Sequence, residues 1–311
     1  MQERAIEAQS PLRMGGVEWG LIALQSMLWG SSYFFIAVAQ PELPALTLAA
    51  LRTIPASCAL LLIVLSLGYR LPATLPEWRL FVLFAAFNTV LPFLLIVWGQ
   101  SRASGGMAAI LNATAPLFGI FLAHMLTHDE KLSLAKLAGI LVGIVGVGIL
   151  VGYDFAVGTR EDVLARLALL AAPLCYVLAN IFVRKRLGYY PPFVVAVMQM
   201  VGALLVSIPL AVVIDRPWDL PLPSATVVGA ILGMGVLGSA LAPLCHFTVL
   251  RRAGATNASL VTLIMPLTPV LLGAAFLGER LTLREITGGL VIAAALIIID
   301  GRAIRALQRR P

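Results

Sequence analysis

The chain has 311 residues, 60% hydrophobic and only 12% charged, with 22 Lys+Arg against 15 Asp+Glu and a formal net charge of +7. Soluble domains run nearer a quarter charged and half apolar, so this composition excludes an ordinary water-exposed globule. Spanning helices of about 20 residues consume most of the length and leave no unbroken stretch of about 50 residues or more for a separate soluble catalytic domain.

Apolar runs bounded by charges or by Pro/Gly clusters predict an all-α membrane protein of ten transmembrane helices. They fall at about 17–38, 44–68, 78–99, 104–126, 133–152, 163–183, 192–213, 224–248, 254–277 and 283–300. The first run is already of spanning length, and Glu3, Glu7 and Glu18 break up any basic leader, so no cleaved signal is expected. An even number of spans puts both termini on one side. Placing them in the cytoplasm leaves fifteen of the Lys and Arg inside, six outside and Arg52 within a span, the bias of the positive-inside rule. Trp19 and Trp78, at the cytoplasmic starts of spans 1 and 3, suit interfacial anchors. The basic excess is therefore an address for topology. Its longest run, Arg184-Lys185-Arg186, gives no nucleic-acid surface. Cys58, Cys175 and Cys245 sit in apolar stretches as small packing residues. No metal spacing or cofactor motif is read.

The chain repeats itself. Ala115-Pro116-Leu117 leads through Asp129-Glu130 to Gly139, and Met265-Pro266-Leu267 leads through Gly278-Glu279 to Gly288-Gly289. Pro92 pairs with Pro243 in the same way. The domains expected are a tail at 1–16, a first five-helix repeat at 17–152, a connection at 153–162, a second repeat at 163–301 and a basic tail at 302–311. Five spans is odd, so the second repeat enters from the opposite face. An inverted repeat is a transporter architecture.

A charge in the hydrocarbon region is costly and generally faces a cavity or a partner. Arg52, eight residues past Pro44, is the one such cation, and neutral Gln199 sits at the matching position past Pro191. Two readings stand for Arg52: a ligand for a substrate carboxylate, or a structural group bonded to backbone carbonyls. No acidic residue lies mid-span, and His246 is the mid-membrane group that titrates near neutrality. Facilitated diffusion and proton antiport both remain open. Pro92, Pro116, Pro243 and Pro266 pair between the halves as candidate hinges, because proline frees a carbonyl and kinks a helix. The cavity wall is expected at Trp29, Ser32, Tyr33, Arg52, Asn88, Thr89, Trp98, Asn112, Tyr176, Asn180, Gln199, Ser239, His246 and Thr262, the polar and aromatic residues within spans.

Four motifs read as decoys. Gly233-Met-Gly-Val-Leu-Gly238 matches a dinucleotide fingerprint but lies inside an apolar span, where close helix packing is the better account. His124 and His128 have i,i+4 spacing without a third ligand. The sequons at Asn112 and Asn257 fall within spans. Gly139, Gly143, Gly146 and Gly148 pack spans 5 and 10 within one chain or serve a dimer. Monomer and homodimer both remain open.

Trp29-Gly30-Ser31-Ser32, Arg52 and the paired proline-to-glutamate phrases resemble the drug/metabolite transporter superfamily. Within it they resemble most the EamA-type ten-span bacterial exporters, including the aromatic amino-acid exporters. Thr127-His128-Asp129-Glu130 departs from the usual small-Gly-Glu corner. The resemblance implies a basket of helices around a central cavity worked by alternating access; a bacterial inner-membrane location is expected, and no enzymatic activity, since no Ser/His/acid, Cys/His or metal cluster converges in the sequence. The resemblance also implies export of amino acids, other metabolites or cationic drugs. The expected function is export of small amphipathic metabolites, aromatic or apolar amino acids above all. Arg52 would meet the carboxylate and Trp29, Tyr33, Trp98 and Tyr176 the side chain. A membrane-embedded enzyme acting on lipid is the different-class alternative.

Overall fold

The computed structural model describes residues 15–126 and 134–300. Most of the expected N-terminal tail, the corner carrying His128, Asp129 and Glu130, and the expected C-terminal tail lie outside them. The described residues form helices joined by short connections, without a strand. The helices are α1 (Gly16–Ala39), α2 (Ala45–Ser66), α3 (Leu75–Gln100), α4 (105–126), α5 (Leu134–Val157), α6 (Arg160–Arg186), α7 (Pro192–Asp215), α8 (Ala225–Ala253), α9 (255–277) and α10 (Leu283–Asp300). Seven of them, α1–α4 and α6–α8, are long and apolar enough to cross a membrane. α5 and α9 carry shorter apolar stretches, Lys136–Val151 and Val261–Leu277, and α10 has 18 residues.

Local sequence explains the helix starts. Pro44 and Pro191 precede α2 and α7 in extended backbone. At α3, α6 and α10 one device recurs: a threonine offers its N–H and hydroxyl to an acid three residues on, in the pairs Thr74–Glu77, Thr159–Asp162 and Thr282–Glu285. Near the start of α3, Trp78 Nε1 donates to the Pro72 carbonyl at 3.1 Å.

The paired prolines all fall at irregular helix. α3 is π-helical over Ala86–Val90 directly ahead of Pro92, and α8 over Gly233–Leu241 directly ahead of Pro243. Leu91 N–H bonds to Ala86 and Ala242 N–H to Leu237, each reaching back five residues. Proline removes a donor and its ring pushes against the carbonyl four residues earlier, and a widened turn relieves both problems. α4 breaks at residues 113–114 just before Pro116, and α9 breaks at 265–266.

Two apolar cores hold the halves together. One joins Tyr33, Leu48, Phe93, Met107, Leu169 and Met234; the other joins Leu60, Phe81, Phe84, Val194 and Met198. α2 lies against α7, α1 against α8 and α9, and α10 against α5. At the last contact, a Cβ on Gly139 would stand 2.9 Å from the Ala295 carbonyl, and one on Gly146 2.8 Å from Ile292. Gly143 faces Leu117 of α4, and Gly148 meets nothing within 4 Å. The fingerprint-like glycines are packing residues: a Cβ on Gly235 would lie 2.7 Å from the Arg52 carbonyl, and one on Gly238 2.3 Å from Ser32 Oγ. Bare backbone there lets α8 lie directly on α1 and α2.

Candidate substrate site between the two halves

Arg52 projects from α2 into the seam between the irregular segments of α3 and α8. Its Nη1 donates to Ser239 Oγ and its Nη2 to the Thr89 carbonyl, both at 3.2 Å, and Cζ stands 3.8 Å from the centre of the Phe93 ring. Ser239 in turn donates to the Met234 carbonyl at 2.9 Å. Gln199 arrives from α7 and donates to Thr89 Oγ1 at 2.8 Å. The repeat-related pair Arg52 and Gln199 therefore close on the two oxygens of one threonine. Tyr176 of α6 stands within electrostatic range of Arg52 and of Tyr33. Arg52 Nε is buried without a hydrogen-bond partner, and among the described residues no Asp or Glu contacts the guanidinium. A fork of donors with one unclaimed suits an anionic oxygen.

Two further groups adjoin this centre. Tyr33 is buried beside Asn112, whose Oδ1 is likewise buried without a partner. Above it Gln100 Nε2 donates to the Tyr33 carbonyl at 2.9 Å, and Gln40 to the Gln100 carbonyl at 3.2 Å. Gln25 Nε2 of α1 and His246 Nδ1 of α8 are 2.8 Å apart. The Trp29 and His246 rings lie 5.3 Å apart.

The expected wall thus divides. Arg52, Thr89, Tyr176, Gln199 and Ser239 converge; Tyr33 with Asn112, and Trp29 with His246, form the flanking groups. Ser32 is spent on the α1–α8 contact at Gly238. Asn88 is half-buried, and none of the hydrogen bonds that join the Arg52 group involves it. Trp98 is 46% exposed and Asn180 is exposed, both away from the cluster. Thr262 donates to its own helix at the Ser259 carbonyl and lines a separate cavity between α4, α9 and α10. Phe93, Gln25 and Gln100 belong to the site although no expectation named them. Gln25 carries the signal that singled out Gln199, a mid-span amide, whereas Gln100 closes α3 just past the expected span and carries no such signal.

Charged contacts tie the halves at both ends. On the side with fewer basic residues, Glu42 accepts from the N–H and hydroxyl of Ser224, both at 2.7 Å, and Asp215 accepts from the N–H and hydroxyl of Thr47 at 2.7 and 2.9 Å. Arg102 pairs there with Glu161 and, at 3.8 Å, with Asp162. At the opposite end Arg252 pairs with Glu18 at 2.8 Å and Tyr190 donates to Glu77. The Ser224 donors, backbone first, hold the Glu42 carboxyl below the usual carboxylate range. Among the described residues no His, Cys, Asp and Glu cluster has metal-holding geometry, and all three cysteines are free.

A helical membrane protein of two repeats, with a buried polar and cationic centre between them, is by architecture a membrane transporter. The EamA-like transporter family profile matches residues 18–152 and 163–300, and the chain belongs to that family, within the drug/metabolite transporter superfamily. It is 27% identical to Protein PecM of Dickeya dadantii over 286 residues, covering 91% of this chain and 92% of that protein. It is 24% identical to an uncharacterized transporter of Archaeoglobus fulgidus, covering 92% of this chain and 99% of that one. A crystal structure with 16% sequence identity superposes with a TM-score of 0.66 over 96% of this chain and all of its own, a likeness of fold.

Proposed function

We propose that the protein is a secondary transporter that exports small amphipathic metabolites, aromatic and apolar amino acids above all, across a bacterial inner membrane. In this reading all ten helices cross the bilayer. Residues 17–152 and 163–301 form the inverted repeats, and both termini are cytoplasmic. The observation that carries the proposal is Arg52: a cation at the seam of the halves, balanced by no carboxylate among the described residues and keeping one donor unclaimed.

A substrate carboxylate would take the place of the missing counter-charge. Tyr176, Tyr33 and Trp29 offer apolar faces for a side chain, and the Asn112 amide oxygen, unclaimed, suits an ammonium. The same absence of a carboxylate disfavours a cationic drug at this centre. Movement would part the contacts at one end of the seam while those at the other hold, with bending at Pro92, Pro116, Pro243 and Pro266. Reconstituted protein should carry labelled phenylalanine across liposome membranes. Runs with and without an imposed pH gradient separate antiport from facilitation, and failure to move any amino acid would overturn the reading.

A further inference from the structure

Two adjoining cavities open on the flank formed by α4, α9 and α10, away from the Arg52 centre. They measure about 320 and 230 Å³ and share Val270, Leu281 and Ile286. Their walls are almost wholly apolar, and Leu267, Ile286 and Leu290 on them are exposed. In a chain embedded in a bilayer, such residues face acyl chains. One end of the groove is different. Glu279 and Glu285 line it there, in electrostatic contact with one another, and neither forms an ion pair among the described residues.

The bonds these carboxylates accept leave room. Glu285 Oε2 is taken by its own helix start at Thr282, but Oε1 has only the Ser104 hydroxyl at 3.4 Å. Glu279 Oε1 accepts the Gly105 N–H at 3.5 Å, and the Gly106 N–H also bonds to this carboxyl. The Ser104 and Gly105 contacts are at the weak limit for hydrogen bonds. Exposed Arg280 lines the same rim. The run from Glu285 to Leu296 along α10 spans about 16 Å, half of the ~30 Å hydrocarbon core. That is the depth of one leaflet. A half-buried and a buried carboxylate, neither with an ion pair among the described residues, stand beside a guanidinium above an apolar groove one leaflet deep; the set matches a lipid that carries an ammonium and a phosphate on one headgroup.

We propose that this groove holds one phospholipid of the leaflet at the Glu279 end, with a primary-ammonium headgroup set against Glu279 and Glu285 and its phosphate toward Arg280. An acyl chain lies along Leu281, Ile286 and Ala293. Burial, and secondarily the charge of Glu285, push the Glu279 carboxyl above its ordinary value; a bound ammonium relieves that cost. The site is independent of the transported substrate.

The test is native mass spectrometry of the purified full-length chain titrated with a phosphatidylethanolamine and, separately, a phosphatidylglycerol of identical acyl chains. The ethanolamine lipid should bind about tenfold more tightly, the worth of one charge-assisted hydrogen bond. The Glu279→Gln/Glu285→Gln variant should bind the two lipids alike. Should that variant fail to fold, Ala293→Trp obstructs the groove in an otherwise native chain and should weaken the ethanolamine lipid to the same degree. Equal binding of the two lipids by the native chain, or a preference that survives both variants, would overturn the assignment.

Discussion

Replacing Arg52 with Gln separates the two roles open to this side chain. The structure supplies the sizes. The change removes two hydrogen bonds, to Ser239 and the Thr89 carbonyl, and the stacking on Phe93. The bonds are worth about 1.5–3 kcal/mol each with a charged donor and the stacking about 0.5–2 kcal/mol. Against this, the cost of keeping an arginine at mid-membrane depth, about 2.5–3.5 kcal/mol, disappears, and glutamine still reaches one partner. The terms nearly offset, so the variant should purify as a monodisperse protein. Substrate binding has no such compensation. Loss of a guanidinium–carboxylate contact of about 1.5–3 kcal/mol weakens affinity about 10- to 150-fold. Calorimetry with phenylalanine and with phenethylamine, which lacks the carboxylate, isolates that interaction. The native protein should prefer phenylalanine by about that factor, and Arg52→Gln should bind both alike. A preference that survives the substitution would refute the carboxylate role, and a variant that fails to fold would make Arg52 structural.

Other expectations follow from the same geometry. Gly235→Ala places a Cβ 2.7 Å from the Arg52 carbonyl, which cannot move away, and should cost about 1–3 kcal/mol, read as a lower Tm in detergent. Gly148→Ala meets open space in the middle of α5 and should raise the Tm, by about 0.5–1 kcal/mol of stability. Glu42 is depressed by its Ser224 donors, so its stabilising contact is fully present above the ordinary carboxylate value and is lost as pH falls through the lower folded value. Thermal denaturation across that acid range should show the loss, and Glu42→Gln should remove its pH dependence. Pro92→Ala and Pro243→Ala restore a helical donor beside each π-helical segment. They should raise the Tm and slow flux while leaving substrate affinity unchanged, and an unslowed flux would argue against hinging there.

Much of this arrangement is readable before any coordinates, because the membrane forces it. Apolar length reports helices at every expected stretch, and the repeated prolines mark where α3, α4, α8 and α9 become irregular. Arg52 and Gln199 stand out because charged and amide side chains rarely sit at that depth without a partner. What fails is direction. Trp98 and Thr262 were selected by polarity or aromaticity, yet a helix has several faces and a span apolar all round gives no phase to choose among them. Thr262 illustrates a second reason: a threonine hydroxyl satisfies itself on the preceding turn, so its polarity implies no cavity. Phe93 escaped notice because a phenylalanine in an apolar span carries no signal until a guanidinium is found above it. Of the two groove carboxylates Glu279 is legible only as part of the repeat phrase and Glu285 not at all, since their lack of counter-charge depends on which helices meet.

The central claim is that one polar centre is opened to each side in turn by the two repeats. Counterflow tests it most directly: liposomes carrying the native protein are preloaded with unlabelled phenylalanine and entry of labelled phenylalanine is followed. A centre exposed alternately predicts that preloading accelerates entry and drives transient accumulation above equilibrium, with Arg52→Gln losing the effect. Entry at a rate indifferent to the internal load, in the native protein, would contradict it.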